Sequence, residues 1–151
     1  MLDVRDMTTP ALAYLGDSVL EVCVRTYLVR EQGLSTSARL NSAALDFVRA
    51  TAQSRAMANI EPHLTEEETV AYRRGRNMGH GNVPKSASAL EYRRATGMET
   101  LFGYLFLKGD TARIDRLFRI GYGLGESDTV GNPTAKEVNE HEQSPRQADR
   151  S

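Results

Sequence analysis

Hydrophobic residues along this chain recur at the three- and four-residue spacing of α-helices, and no segment shows the strict alternation of a β-strand. The first predicted helix covers residues 9–31, with Pro10 in its first turn and Gly33 just past its end. The second begins near Ser37 and stops at Pro62. Its apolar positions keep helical spacing throughout: Leu40, Ala44, Phe47, Val48, Ala52, Ala56 and Ile60.

Three further helices follow, and the fold class they predict is all-α. The third covers residues 65–75 and opens with the sequence of a capping box. The fourth begins near Ser86, and it is expected to break near Thr96 because Thr96 and Glu99 have the spacing of another capping box. Asp110 caps the last helix. That helix turns three apolar side chains toward the core: Ile114, Leu117 and Phe118.

The composition fits one small domain with a polar extension. At 151 residues, 40% of them hydrophobic, the chain can bury a single core. We place a catalytic domain at residues 1–125 and a disordered tail at residues 126–151, which contain six acids and three bases. Cys23 stands between two valines and is interpreted as a packed thiol. With no signal-peptide pattern and no long apolar span, we expect a cytoplasmic protein without a membrane partner.

Two strongly apolar helical segments each contain acidic residues. Asp17 and Glu21 lie one turn apart in the first helix, and Glu99 lies in the fourth. If these helices pack against each other, the three carboxylates can converge on one hard cation such as Mg²⁺ or Mn²⁺. A divalent metal held by carboxylates supports the hydrolysis of phosphodiesters. The structural alternative is that Asp17 caps a helix or pairs with an arginine.

Basic residues cluster in one part of the chain although the formal net charge is only −1. Residues 73–94 contain one acid, Glu91, and six bases: Arg73, Arg74, Arg76, Lys85, Arg93 and Arg94. The segment Asn77–Lys85 is rich in Gly and Asn and can bring backbone N–H groups close to phosphates. Five residues are therefore interpreted as contacts to nucleic-acid phosphates: Arg73, Arg74, Arg76, Asn77 and Lys85. The alternative is an ordinary solvated helix end followed by a loop.

Three segments resemble motifs of the ribonuclease III family. Residues 12–21, Leu-Ala-Tyr-Leu-Gly-Asp-Ser-Val-Leu-Glu, resemble its signature helix, and residues 97–107 resemble the helix that carries its second metal-binding acid. Residues 66–68 and 73–77 are similar to Glu-Glu and Arg-Gly-Arg-Asn segments of one branch, Mini-ribonuclease III, which lacks a double-stranded-RNA-binding domain. The resemblance covers about residues 7–122.

This resemblance implies a helical bundle of the ribonuclease III endonuclease type. It implies that Asp17 and Glu99 are the catalytic, metal-binding carboxylates and that Glu21 is an auxiliary ligand. The implied cofactor is Mg²⁺, with Mn²⁺ as a substitute. Two positions that carry acids in the larger enzymes of the family are Ala13 and Thr96 here, so the implied set of ligands is smaller.

The implied activity is metal-dependent endonucleolytic cleavage of double-stranded RNA, which leaves a 5′-phosphate and a 3′-hydroxyl. The implied substrate is the paired ends of the large-subunit (23S) ribosomal RNA precursor, with a ribosomal protein as accessory partner. The family also pairs its signature helices in a homodimer, which assigns Tyr14 and Leu15 to the interface. The alternative is a non-catalytic RNA-binding or ribosome-assembly module of the same fold, which Ala13 and Thr96 favour slightly.

Overall fold

Six α-helices form the part of the chain that the computed structural model describes, residues 3–78 and 88–126. They are α1 (Thr9–Arg30), α2 (Ser37–Val48), α3 (Ala50–Ile60), α4 (Glu66–Arg76), α5 (Ala89–Leu107) and α6 (Thr111–Tyr122). Short 3-10 turns cover Val4–Asp6 and Glu61–His63. The described ranges contain no strand, and none of their helices has the length and apolar character to cross a membrane. The all-α fold class is confirmed.

The helices begin where side chains can satisfy their first amide groups. The Thr8 hydroxyl accepts a hydrogen bond from the Ala11 amide at 3.3 Å, and Pro10 occupies the first turn of α1. The capping box of α4 is complete, because Thr65 and Glu68 each accept from the other's backbone amide, at 3.2 and 2.9 Å. These caps fix the starts of the two helices that carry most of the candidate chemistry.

Helices α1 and α5 cross with their backbones in contact. A Cβ atom on Gly16 would lie 1.6 Å from the carbonyl oxygen of Glu99, and one on Gly103 would lie 2.0 Å from that of Leu12. The helices therefore run antiparallel, and only glycine fits at the two crossing positions. Since no side chain separates the backbones, residues next to the crossing lie close to the opposite helix.

The remaining helices pack around α5. Helices α1, α3 and α4 contact it directly, while α6 packs mainly on α3. The large apolar side chains that are fully buried come from five of the six helices: Leu12, Leu20, Val24, Met57, Ile60, Tyr72, Met98, Leu101, Phe102, Leu105 and Leu117. Helix α2 is attached through Phe47, whose ring contacts Tyr27 and Tyr122 and whose carbonyl accepts a 2.6 Å hydrogen bond from the Tyr122 hydroxyl.

Two sequence-based helix boundaries are wrong. The second predicted helix is two helices, because Arg49 has an extended backbone with ψ of 145° and separates α2 from α3. The break expected near Thr96 is absent, because the Thr96 hydroxyl donates to the Tyr92 carbonyl at 3.0 Å within a continuous α5. A mid-helix threonine can bond back in this way instead of capping a new helix. The tail after Glu126 lies outside the described residues.

Candidate active site

The α1–α5 crossing brings the two principal carboxylates together. Asp17 directly follows Gly16, whose Cα faces the Glu99 carbonyl across the crossing. Asp17 is exposed, in contrast to the apolar character of its helix, and Glu99 is the partly buried member of the pair. Within the described residues, neither side chain forms a salt bridge or a hydrogen bond. Two acids are therefore held close together with their oxygen atoms free to bind a cation.

The pKa of Glu99 shows that this arrangement destabilises its ionised form. Burial, and then the negative charge of Asp17, raise the pKa of Glu99 from its ordinary value of 4.5 to about 7. A carboxyl group with that pKa holds its proton for about half of the time at neutral pH. A divalent cation between the two acids would favour ionisation of both. The pair therefore fits the oxygen ligands that Mg²⁺ and Mn²⁺ prefer.

Glu21 is not brought to this pair. Its carboxylate pairs with Arg25 one turn further along α1, at 3.0 Å. No group of three or more metal-ligating side chains occurs within residues 3–78 and 88–126. Ala13 and Thr96 are buried. Asp17 and Glu99 are thus the two acids that the structure places together.

The basic residues of α4 lie one helix away from the acids. Gly75 packs so tightly on α5 that a Cβ there would lie 2.2 Å from the hydroxyl oxygen of Thr100, the residue after Glu99. Arg73 is exposed, and the Arg76 guanidinium lies over the Tyr72 ring at 5.5 Å. The last turn of α4 therefore packs on the helix that carries Glu99 and presents positive charge at the surface.

Two other residues of the predicted phosphate contacts, Asn77 and Arg74, have specific positions. Asn77 caps α4 and accepts a 3.3 Å hydrogen bond from Arg76 Nε. Arg74 is partly buried and donates to Thr9, the first residue of α1, and to Met7 just before it, which sequence reasoning did not anticipate. The available signal was helical phase, since Arg74 lies three residues after Ala71 on the face that is buried. Lys85, with the rest of 79–87, lies outside the described residues.

One face of α1 presents apolar residues to solvent. The side chain of Tyr14 is 84% exposed and that of Val22 64% exposed, whereas Leu15 is partly buried against the core. Beside this face, a groove of about 900 Å³ runs between α1 and α6 and includes Val22, Cys23 and Ala112 in its walls. Burial raises the pKa of the Cys23 thiol to about 11, as expected of a packed, unreactive cysteine.

Comparison with known proteins identifies the family. Residues 10–110 match the model of the ribonuclease III domain. The chain belongs to the ribonuclease III family. It is 36% identical over 124 residues to a Mini-ribonuclease 3 from Clostridium tetani, with 82% of each chain covered. It is 45% identical over 109 residues to that of Symbiobacterium thermophilum, which covers 72% of this chain and 82% of the relative.

A solved structure agrees with this assignment. The crystal structure of a Fusobacterium nucleatum protein matches with a TM-score of 0.70 and 29% identity, over 80% of this chain and 95% of the other. The family resemblance drawn from the three motifs is thereby confirmed. The enzyme class expected from it, an endoribonuclease, is confirmed with it.

Proposed function

We propose that this ribonuclease III family member cleaves double-stranded RNA with Mg²⁺, or with Mn²⁺ in its place, held by Asp17 and Glu99. The observation that carries the proposal is the close carboxylate pair at the α1–α5 crossing, where burial and then the negative charge of Asp17 raise the pKa of Glu99 to about 7. The charge of Asp17 disfavours ionisation of Glu99, and such a pair of acids has no evident structural role. It becomes stable in its ionised form when a cation binds.

Each residue of the proposed site has a distinct role in phosphodiester hydrolysis. Asp17 and Glu99 would hold the Mg²⁺ ion, which would supply an activated water and neutralise charge on the scissile phosphate. Glu99 would serve as a ligand in its ionised form, and Asp17 faces solvent, from which the RNA would approach. Arg73, Arg76 and Asn77, with Lys85, contact the backbone phosphates on either side. Hydrolysis in this arrangement leaves a 5′-phosphate and a 3′-hydroxyl.

The direct test is cleavage of a long RNA duplex in Mg²⁺ and in EDTA by wild-type protein, Asp17→Asn and a matched control, Asp46→Asn. Asp46 is an exposed acid on α2 and lies outside the proposed site. Cleavage that needs Mg²⁺, survives Asp46→Asn and is lost in Asp17→Asn supports the proposal. Salt-sensitive RNA binding without cleavage by the wild-type protein would instead support the non-catalytic module.

We further propose that the active form is a homodimer that pairs its α1 helices. The exposed apolar face of α1 and the groove beside it provide both halves of such an interface. A two-fold axis near Ser18 would place Tyr14 opposite Val22 of the partner subunit, at the mouth of the groove. Two symmetric sites would then face the two strands of one RNA duplex.

Sedimentation velocity tests the dimer. We expect wild-type protein to sediment as a dimer at micromolar concentration and Tyr14→Ala to shift toward monomer. Leu45→Ala is the control, because Leu45 is an exposed apolar residue on α2, away from the proposed interface. A wild-type monomer, or an equal shift in both variants, would contradict the dimer.

The natural substrate proposed is the paired ends of the large-subunit (23S) ribosomal RNA precursor, processed in the cytoplasm. A small catalytic domain with a short basic surface is expected to hold a free duplex weakly, so a ribosomal protein that presents the RNA is proposed as accessory partner. The test compares cleavage of the precursor stem with a duplex of equal length and unrelated sequence, with and without ribosomal proteins. Equal rates on both duplexes under all conditions would exclude this substrate preference.

A further inference from the structure

Arg74 stands in the middle of the basic run of α4 but does not share the exposure of Arg73. Its guanidinium donates a 2.6 Å hydrogen bond to the carbonyl oxygen of Met7 and a 3.3 Å hydrogen bond to the hydroxyl of Thr9. These acceptors flank Thr8, the residue that caps α1. The side chain therefore spans the start of α1 from a helix that is more than 60 residues away in sequence.

The charge of Arg74 is not what draws it to this place. The first turn of a helix carries a partial positive charge, so a cation there gains nothing from the helix dipole. The contact instead offers two donors in fixed geometry, one of which reaches the Met7 carbonyl, just outside the helix. A planar guanidinium can bridge both acceptors, whereas a lysine ammonium is a single point donor on a flexible stem.

We propose that Arg74 is a positioning residue that sets the phosphate-binding end of α4 relative to the metal-binding helix α1. This inference rests on the proposed function. Thr9 precedes Asp17 by eight residues, about 12 Å along α1, and Arg73 and Arg76 flank Arg74 on α4. The Arg74 side chain thus connects α4, the helix proposed to bind the RNA, to α1, the helix proposed to bind the metal.

The position of α4 relative to α1 affects the rate of the chemical step more than the affinity for RNA. Arg73 and Arg76 would still neutralise phosphates if α4 shifted slightly, because long-range attraction tolerates small displacements. Hydrolysis needs the scissile phosphate at a fixed distance from the carboxylate pair, and a misplacement of about 1 Å can cost about 100-fold in rate. Loss of Arg74 should therefore lower kcat and leave the binding of RNA almost intact.

The experiment compares Arg74→Gln, Arg74→Lys and Arg73→Gln in the full-length protein. We measure kcat at saturating duplex RNA with Mg²⁺, and the Kd for duplex RNA in EDTA over a range of salt. For Arg74→Gln we expect kcat to fall about 10-fold or more, with Kd and its salt dependence within about 2-fold of wild type. Arg74→Lys should recover part of the rate. For Arg73→Gln we expect weaker binding and a salt slope smaller by about one.

A double-mutant cycle identifies the partner. Thr9→Ala removes one acceptor, and we expect it to lower kcat in the wild-type background and to add little in Arg74→Gln. Additive effects would overturn the inference. So would an Arg74→Gln variant that weakens binding like Arg73→Gln, or one that only lowers the unfolding temperature and keeps the wild-type kcat in the cold. A wild-type protein that does not cleave RNA would overturn the proposed function and this inference together, whereas the other failures leave the function standing.

Discussion

Glu99→Gln should stabilise the metal-free protein at neutral pH, although it removes a proposed catalytic group. The pKa of Glu99 is raised from 4.5 to about 7 in the folded protein, so the folded state holds a proton that the unfolded state has released. Stability contributed by that proton is fully present below pH 4.5 and is lost as the pH rises to 7. The loss corresponds to at most about 3 kcal/mol, at 1.36 kcal/mol for each tenfold change in proton affinity.

Glutamine is neutral at every pH and escapes this loss. Urea unfolding in metal-free buffer should therefore show equal free energies of unfolding for the two proteins below pH 4.5, and an advantage for Glu99→Gln that grows to about 2–3 kcal/mol by pH 8. Glu21→Gln is the matched control, because Glu21 is paired with Arg25 at the surface and its removal should change stability little at any pH. A Glu99→Gln advantage that does not vary with pH would refute the reasoning.

Addition of metal should make the wild-type protein more stable than Glu99→Gln. A cation that binds only the folded state stabilises it by an amount that grows with its concentration above Kd. Wild-type protein at pH 7.5 should therefore gain stability on titration with Mn²⁺, and Glu99→Gln should gain less because one charged ligand is missing. Equal gains in both proteins would place the metal elsewhere.

Two further predictions concern the packing that supports the site. Gly16→Ala should destabilise the protein by about 3 kcal/mol or more, because its Cβ would overlap the Glu99 carbonyl; thermal unfolding measures this, and Ser42→Ala on the exposed face of α2 should change little. Arg113→Ala should cost about 3 kcal/mol, because it leaves the buried Glu68 carboxylate without the guanidinium that contacts it at 2.8 Å. A loss below about 1 kcal/mol in urea unfolding would show that solvent compensates for the missing partner.

Local signals in the sequence were sufficient for most of the fold. Capping residues and helical periodicity placed both ends of α1 and α4 and the start of α6 to within a residue or two, because those boundaries carry local capping or breaking signals. The break at Arg49 carries no such signal, since the apolar spacing continues across it, whereas in the structure α2 packs on α1 and α3 packs on α5 and α6. The break predicted at Thr96 was wrong for the opposite reason. Its capping sequence is present but lies inside a continuous helix, where the Thr96 hydroxyl donates to the Tyr92 carbonyl.

The proximity of the two acids of the candidate site was predictable, but their environment was not. Periodicity and family motifs both selected Asp17 and Glu99, and the crossing brings them together. Asp17 is exposed to solvent, whereas Glu99 is partly buried. This difference depends on the angle between the two helices, which no local sequence pattern encodes. The contact of Arg74 with Met7 is likewise a long-range event between segments that have no sequence relation.

The glycine contact between α1 and α5 also limits how this site can change over time. At the crossing the two chains touch through main-chain atoms, so the spacing of the carboxylates depends on backbone thickness and not on side-chain volume. We therefore expect mutations that resize the core to change the spacing of the proposed metal ligands little. New substrate preferences are expected to arise instead on the surfaces around the proposed site, such as the end of α4, while the proposed site keeps its dimensions.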